Sequence, residues 1–501
     1  MRRLALAVTV VLLGISGCGQ SKEEQARDAF NRGNTCATKG EYDKAIVDYT
    51  EAIRFNPEHA NPYYNRGVAY HGKGEHDKAI ADYTEAIRLN PMHADAHCYR
   101  ALAYVEKGEH DKEIADYTEA IRLAPEHAKA YYNRAVAYAK KSEHDKAIAD
   151  YTQAIRLDPK DADAFCNRGL VYGDKGEHDG VIADCTEAIR LNPQHAYAYY
   201  NRGYAFHMKD KYDKAIADYT EAIQLSPEYA YAYYYRGMAY GNKGEYNKAI
   251  DDFTEAIRIN PEHAYAYGNR GLAYHVKGEH DRAIVDLTEA IRLNPKHANA
   301  YVARALAYGK RGQFDKAIAD YTEAIRLDPK DAEAYCARGS AYADKGAHDK
   351  AIADYTEAIW RDPEHAKAYR GRGTAFADKA EYDKAIADYS EAIWLDPKYA
   401  TYYNRGLAYQ ACGEYDEAIT DFTKAIRLNP EHADGYVTRA LAYNRMGEYD
   451  KAIADNSEAI RLNPEHPFAY YARGLAYAEK GDHNRERADI AKARELGLNR
   501  K

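Results

Sequence analysis

Histidine and cysteine side chains recur along the sequence and are the first candidates for chemistry, because both bind metal ions and both act in catalysis. The chain has 20 histidines and 7 cysteines, and no two cysteines form a CxxC pair. Sixteen histidines occupy two recurring positions, those of His76 and His93, where tyrosine, aspartate or phenylalanine stands in other copies. Metal sites do not tolerate that exchange. No nucleophile stands beside a base, so the sequence predicts no metal site, no cofactor and no enzyme.

These recurring positions belong to a repeat of 34 residues, which is clearest between Ala60 and His93. The same frame begins at Ala26 and continues in steps of 34 residues as far as Ala366. After Pro397 one residue is missing, and the frame then resumes to give fourteen copies in all. A period of this length, with too few apolar residues in one copy for a separate core, predicts a stacked array.

Each copy contains two helical patterns joined by a turn. Tyr63, Gly67 and Tyr70 are spaced by four and three residues, so they share one face of a first helix. Asp77 is predicted to cap a second helix at its N-terminus, and Pro91 is predicted to end it. Thirteen of the fifteen prolines occupy the Pro91 position. The sequence therefore predicts an all-α fold built from helical hairpins.

The residues that recur in each hairpin resemble the signature of the tetratricopeptide repeat family. In the copy that begins at Ala60, that signature consists of Tyr63, Gly67, Tyr70, Ala79, Tyr83, Ala86 and Pro91. The resemblance implies an α-solenoid of about fourteen helix-turn-helix repeats that forms a right-handed superhelix. It also implies a scaffold that binds other proteins. One departure from the family pattern is systematic, because Arg66 and its counterparts stand where the family usually has leucine.

The N-terminus has the pattern of a secreted lipoprotein. Arg2 and Arg3 precede an apolar run, and the tetrapeptide ISGC that ends at Cys18 resembles a bacterial lipobox. Lipid on Cys18 would tether the chain to the bacterial cell envelope. By resemblance to Gram-negative sorting, Gly19 favours the periplasmic face of the outer membrane. The alternative is an ordinary signal peptide in which Cys18 has no role.

These patterns divide the chain into four predicted parts. Residues 1–17 form the signal peptide, 18–25 the lipidated cysteine and a short tether, 26–466 thirteen repeats, and 467–501 a terminal repeat with a C-terminal cap. The formal net charge is −9, and lysine and arginine are spread evenly. That distribution argues against a nucleic-acid partner. The predicted partners are therefore proteins, together with the membrane through the N-terminal lipid.

Two charged positions are the same in all fourteen repeats, those of Arg66 and Asp82. If both side chains point into the hairpin, the arginine pairs with the aspartate across the two helices. The alternative is that Asp82 pairs with Lys78, which lies four residues earlier on its own helix.

The family resemblance implies that the first helix of each repeat lines the concave side, so residues that vary there are candidates for partner binding. Aromatic residues cluster at these positions, at Tyr132, Tyr197, Tyr200, Tyr204, Tyr231, Tyr234 and Tyr265. An asparagine column runs beside them, at Asn133, Asn167, Asn201 and Asn269. An amide both donates and accepts, which suits the backbone of an extended peptide, and aromatic rings give a large contact area.

We therefore predict that extended peptide segments of partner proteins bind in this groove. One alternative is an envelope glycan or peptidoglycan bound by the tyrosines, and another is that the tyrosines only pack against each other. The two tryptophans, Trp360 and Trp394, occupy one second-helix position in successive repeats, where Arg88 stands in the copy that begins at Ala60. They either stack on each other or form a second contact surface.

Overall fold

The computed structural model describes residues 21–498, which form 28 helices and no strand. They fall into two compact units, which meet in sequence between Glu245 and Tyr246. The first unit contains α1 (Lys22–Thr38), α2 (Tyr42–Phe55), α3 (Ala60–Gly72), α4 (His76–Leu89), α5 (Ala94–Glu106), α6 (His110–Leu123), α7 (Ala128–Lys140), α8 (His144–Leu157), α9 (Ala162–Asp174), α10 (His178–Leu191), α11 (Ala196–Met208), α12 (Tyr212–Leu225) and α13 (Ala230–Asn242).

The second unit contains α14 (Tyr246–Ile259), α15 (Ala264–Val276), α16 (His280–Leu293), α17 (Ala298–Lys310), α18 (Phe314–Leu327), α19 (Ala332–Asp344), α20 (His348–Arg361), α21 (Ala366–Asp378), α22 (Tyr382–Leu395), α23 (Tyr399–Cys412), α24 (Tyr415–Leu428), α25 (Ala433–Arg445), α26 (Tyr449–Leu462), α27 (Pro467–Glu479) and α28 (His483–Glu495). Odd-numbered helices are the first helices of the repeats, and even-numbered helices are the second helices. The predicted all-α solenoid is confirmed.

The turn between the two helices of a repeat depends on a left-handed residue. Gly74 has a φ of +76°, a conformation in which glycine carries no steric penalty. The chain then reverses, and the Glu75 N–H donates a hydrogen bond of 2.9 Å to the Tyr70 carbonyl. Ser142, Asp210 and Ala380 adopt the same conformation in other repeats although they carry a Cβ atom.

The prediction that Asp77 caps the second helix is wrong. α4 begins at His76, so Asp77 lies inside its first turn, and the capping residue Glu75 makes no side-chain hydrogen bond to the helix. The Asp77 carboxylate instead accepts a hydrogen bond of 2.6 Å from Lys107 Nζ of the next repeat. A carboxylate in the first turn still stabilises the helix through its dipole.

Small residues let the helices of a repeat approach closely. A Cβ atom added to Gly67 would lie 2.7 Å from the Tyr83 ring, which is fully buried. Ala79 and Ala86 are fully buried as well. Within each unit, each first helix whose second helix lies in the same unit packs against it, and most first helices of successive repeats also contact each other. The first helices therefore form the more closely packed layer of each unit.

The recurring arginine and aspartate join the two helices of a repeat. Arg66 Nε and Nη2 donate hydrogen bonds of 2.7 and 2.8 Å to the two carboxylate oxygens of Asp82. A third bond of 3.0 Å runs from Arg66 Nη1 to Thr50 Oγ1 on the second helix of the preceding repeat. Lys78, the alternative partner of Asp82, instead donates a hydrogen bond of 2.6 Å to Glu75. Arg66 thus connects one repeat to the previous one as well as the two helices of its own.

The remaining predictions concern the two ends of the chain. Cys18 and the predicted signal peptide lie outside the described residues. Between residues 21 and 498, no helix has both the length and the apolar sequence that crossing a membrane requires. In the terminal repeat, Arg487 is exposed on α28 and Glu486 binds His483 at 2.8 Å, so this last helix has a polar outer surface.

Candidate binding surface on the first helices

Two exposed tyrosines mark the first helices α11 and α13 of the first unit. Tyr197 and Tyr231 occupy the same repeat position, at the second residue of each helix, and their exposed fractions are 60% and 52%. Exposed aromatic rings that line up on one surface are candidates for a binding site. These two side chains form the accessible part of the predicted tyrosine cluster in this unit.

Beneath them lies a set of tyrosines that pack against each other. Tyr200 is half-buried, and its ring centroid lies 4.9 Å from that of Tyr229 and 6.0 Å from those of Tyr219 and Tyr235. Tyr204 contacts Tyr235 edge-on at 5.2 Å. Burial raises the pKa of the Tyr200 hydroxyl. Tilted and edge-on aromatic pairs of this kind are favourable and hold the rings in fixed orientations.

Two residues of this cluster were missed by the sequence analysis. Tyr229 stands where most repeats have histidine, as at His93, and Tyr235 stands where several have asparagine, as at Asn65. Tyr229 also supports the exposed Tyr197, because their centroids are 5.2 Å apart. The signal in the sequence was the appearance of tyrosine in two columns at once beside Tyr200.

Other predicted residues are less accessible than expected. Tyr234 is buried, with 8% of its surface exposed, and therefore offers little area to a partner. Tyr132 is half-buried and packs edge-on against Tyr151 at 5.6 Å. Tyr132, Tyr200 and Tyr234 therefore fit the alternative in which the tyrosines only pack against each other. The exposed rings of Tyr197 and Tyr231 do not fit it.

The asparagine column bonds largely to neighbouring repeats. Asn167 Nδ2 donates a hydrogen bond of 2.6 Å to the Tyr132 hydroxyl of the preceding repeat. Asn201 is buried, and its Nδ2 donates to Cys166 Sγ at 3.6 Å. Asn133 is half-buried beside the Tyr117 hydroxyl. Asn201 therefore cannot face a partner as expected, and Asn167 already uses one of its donors.

Two of the predicted partner-binding residues, Tyr265 and Asn269, lie on α15 of the second unit. Tyr265 is 52% exposed, and its ring packs against the His297 ring with centroids 4.7 Å apart. Asn269 lies one turn further along the same helix and is half-buried. Tyr265 therefore resembles Tyr197 in being an exposed aromatic ring supported on one side.

The cysteines and histidines of residues 21–498 do not come together into a metal-binding group. The six described cysteines are free thiols, and residues 21–498 contain no group of three or more histidine, cysteine, aspartate or glutamate side chains that could hold a metal ion. Hydrogen bonding with Cys185, and then with His195, lowers the pKa of Cys166 well below its usual value. Both thiols are buried, so this group has no access to a substrate.

Comparison with known proteins agrees with the repeat structure. A family model described as "Tetratricopeptide repeat" matches residues 60–93, 162–195, 196–229, 230–263, 264–297, 332–365, 366–399 and 399–432. A model described as "TPR repeat" matches residues 33–74, 101–142, 137–176, 307–346 and 440–481, and another tetratricopeptide repeat model matches residues 287–319 and 422–454. No curated protein matches the chain.

Several solved structures resemble the chain. The APC/C hetero-tetramer Cut9-Hcn1 is 18% identical over 91% of this chain and 96% of that chain, with a TM-score of 0.40. MamA is 31% identical over 33% of this chain and 91% of that chain, with a TM-score of 0.32. YrrB, described as a TPR protein with an unusual peptide-binding site, is 22% identical over 36% of this chain and 93% of that chain, with a TM-score of 0.34.

Proposed function

The chain belongs to the tetratricopeptide repeat family, and we propose that it is a non-catalytic scaffold that binds an extended peptide segment of a partner protein beside Tyr197 and Tyr231. The observation that carries this proposal is the pair of exposed rings at one position of successive first helices. A ring that is already held in place loses little conformational entropy when a partner covers it. Tyr229 holds Tyr197 in this way.

The asparagine column has a smaller part in this proposal than the sequence suggested. Asn201 is buried and Asn167 is bonded to Tyr132, so the contacts to a peptide come mainly from the tyrosines. Tyr265 offers a similar exposed ring in the second unit. Because the contacts are aromatic and uncharged, binding should depend only weakly on salt.

The test is a selection of peptides from a random-sequence phage library with the full chain, followed by affinity measurement by fluorescence polarisation. Tyr197→Ala with Tyr231→Ala should weaken a selected peptide by at least about tenfold for each ring, because central aromatic residues often contribute 2 kcal/mol or more. The matched control is Asn61→Ala with Lys129→Ala, which changes the same repeat position where no aromatic residue stands. Equal losses in both variants would reject the tyrosine surface.

The glycan alternative uses the same rings, since an exposed tyrosine also stacks on a sugar ring. Sedimentation of the chain with purified peptidoglycan separates the two ligands. Suppose that peptidoglycan binds, that its binding requires Tyr197 and Tyr231, and that the selection enriches no peptide. The ligand of this surface would then be a glycan and not a peptide.

We also propose that Cys18 is lipidated and holds the scaffold at the periplasmic side of a bacterial outer membrane. The support is the ISGC sequence after an apolar run. Mass spectrometry of the chain purified from an envelope fraction should show a diacylglyceryl cysteine as the first residue. Cys18→Ala should release the chain from the membrane fraction. An unmodified Cys18 in a membrane-free chain would reject the anchor.

A further inference from the structure

Two exposed tryptophans lie on second helices of the second unit, whereas the tyrosine surface lies on first helices of the first unit. Trp360 and Trp394 sit near the C-terminal ends of α20 and α22, and 76% and 78% of their surfaces are exposed. Rings that stacked on each other would not remain this exposed, so the alternative of mutual stacking does not hold. Arg361 of the same helix lies over the Trp360 ring, with its guanidinium carbon 5.1 Å from the ring centroid, so the Trp394 ring is the more available to a partner.

The tryptophans take the place of a residue that neutralises a carboxylate in other repeats. Arg88 Nε bonds to Glu85, three residues earlier on the same helix, at 2.9 Å. In α22 the corresponding pair is Glu391 and Trp394. Among the described residues, no cation lies within ion-pair distance of Glu391. In α22 the change from arginine to tryptophan therefore exposes a ring and leaves a negative charge without a counterion, whereas in α20 the corresponding Glu357 is paired with Arg361.

A second kind of ion pair is missing in the same region. In other repeats a lysine that follows the first helix bonds to an aspartate of the preceding second helix, as Lys379 does to Asp349 at 2.7 Å. At this position the next two repeats have Cys412 and Met446. The aspartates that would be their partners are Asp383 on α22 and Asp416 on α24. Within residues 21–498, neither carboxylate has a basic side chain within ion-pair distance.

These changes produce one continuous face on α22. Asp383, Glu391 and Trp394 are spaced by eight and three residues, so they lie on the same side of the helix, and all three are exposed. On α24, the exposed Glu417 follows Asp416 and stands where most repeats have lysine, as at Lys78. The outer face is therefore aromatic at the C-terminal ends of α20 and α22, and it carries unpaired carboxylates on α22 and at the start of α24, whereas Lys424 and Arg427 are exposed further along α24.

We propose that this outer face, which we call the tryptophan face, binds a lysine- and arginine-rich segment of a partner protein. Basic side chains would stack on the Trp394 ring, and on the Trp360 ring beside Arg361, through cation–π contacts, and would pair with the unneutralised carboxylates. Charge complementarity selects this partner, because an acidic or neutral segment would leave those carboxylates uncompensated. The inference is independent of the tyrosine surface, which lies on the first helices.

The tryptophans report on this binding directly because they are the only two in the chain. Titration of the full chain with decalysine should change their fluorescence saturably, and the effect should weaken as salt is added. Decaglutamate should produce no change. The absence of a saturable fluorescence change with decalysine would overturn the proposal.

Variants that restore the common repeat residues test the two components without disturbing the fold. Binding of fluorescein-labelled decalysine, measured by anisotropy, should weaken about tenfold in W360R/W394R because two cation–π contacts are lost. It should weaken about threefold in C412K/M446K because two carboxylates become paired. The matched control is A81K/A217K, which adds the same charge at exposed positions of second helices in the first unit.

Three results would contradict the proposal. Equal weakening in C412K/M446K and A81K/A217K would show that only net charge matters. Loss of decalysine binding in Tyr197→Ala with Tyr231→Ala would move the site to the tyrosine surface. A concentration-dependent dimer that W360R/W394R abolishes, without decalysine binding, would show that a second copy of the chain covers the tryptophan face.

Discussion

Arg304→Leu tests whether the recurring arginine stabilises the array. Arg304 Nε and Nη2 donate hydrogen bonds of 2.7 and 2.8 Å to Asp320, and Nη1 donates one of 3.0 Å to Thr288 of the preceding repeat. The exposed fractions of the two charged side chains are 15% and 9%. The substitution therefore leaves a nearly buried carboxylate without its cation. We expect a loss of about 3 kcal/mol, at the lower end for a broken buried pair because the guanidinium keeps some solvent contact.

The measurement must be local, because repeat arrays need not unfold in a single step. Native-state hydrogen exchange with mass spectrometry reports the opening free energy of each helix. A loss of about 3 kcal/mol corresponds to a fall of about 150-fold in the protection of amides in α17 and α18. Peptides from α1 to α4 provide an internal reference, because each repeat contacts mainly its neighbours.

Two further variants separate the contributions. Thr288→Val removes one hydrogen bond to the arginine and should cost about 1 kcal/mol. Arg304→Leu combined with Asp320→Leu should recover most of the loss, since a buried pair replaced by apolar residues is often neutral. Protection that changes by less than about threefold in Arg304→Leu would refute the stabilising role. A double variant worse than the single one would assign the loss to packing against Tyr301 and Tyr308, which flank the guanidinium at 5.8 and 5.9 Å.

Three other predictions follow from local geometry. Ala380 has a φ of +58°, which costs an alanine about 1 kcal/mol, so Ala380→Gly should increase amide protection in α21 and α22 about fivefold; unchanged protection would contradict it. Burial lowers the pKa of His207 from its ordinary 6.5, so the unfolded chain binds more protons as the pH falls below that value and stability decreases. His207→Gln should flatten the decrease in thermal midpoint between about pH 7 and pH 5, and an unchanged slope would refute this reasoning. Lys107→Met should change local stability by less than about 0.5 kcal/mol, because its partner Asp77 is 84% exposed; a larger loss would make Cys412 and Met446 a stability defect rather than part of a binding face.

The helical hairpins could be predicted because the same sequence pattern recurs in each repeat. The spacing of Gly67 and Tyr70 places them on one helical face, and Gly74 ends that helix as its positive φ requires. The start of the second helix could not be read as reliably. Asp77 is a good capping residue in isolation, but the lysine of the next repeat binds its carboxylate. A local propensity was thus overridden by a contact between repeats.

The tyrosine surface could be predicted only in part, because a column of one residue type does not distinguish exposed rings from packed ones. Tyr197 and Tyr200 are three residues apart on the same helix, yet the first is exposed and the second lies among other tyrosines. The difference depends on Tyr229, the last residue of the same repeat and the N-cap of α13, and on Tyr235 of the next repeat. Their positions relative to Tyr200 are set by the stacking of repeats, which the sequence of one helix does not contain.

The asparagine column shows why a residue type that suits a ligand is not evidence of a ligand site. An amide can bond to a peptide backbone, and it can equally bond to a side chain of the neighbouring repeat. First helices of successive repeats contact each other, so a polar residue between them must find a partner there. Asn167 donates a hydrogen bond to the Tyr132 hydroxyl, and Asn201 donates one to the Cys166 sulfur. An alanine at Asn201 would therefore alter the contact between repeats before it altered binding, and only the exposed tyrosines allow the binding surface to be tested without changing the scaffold.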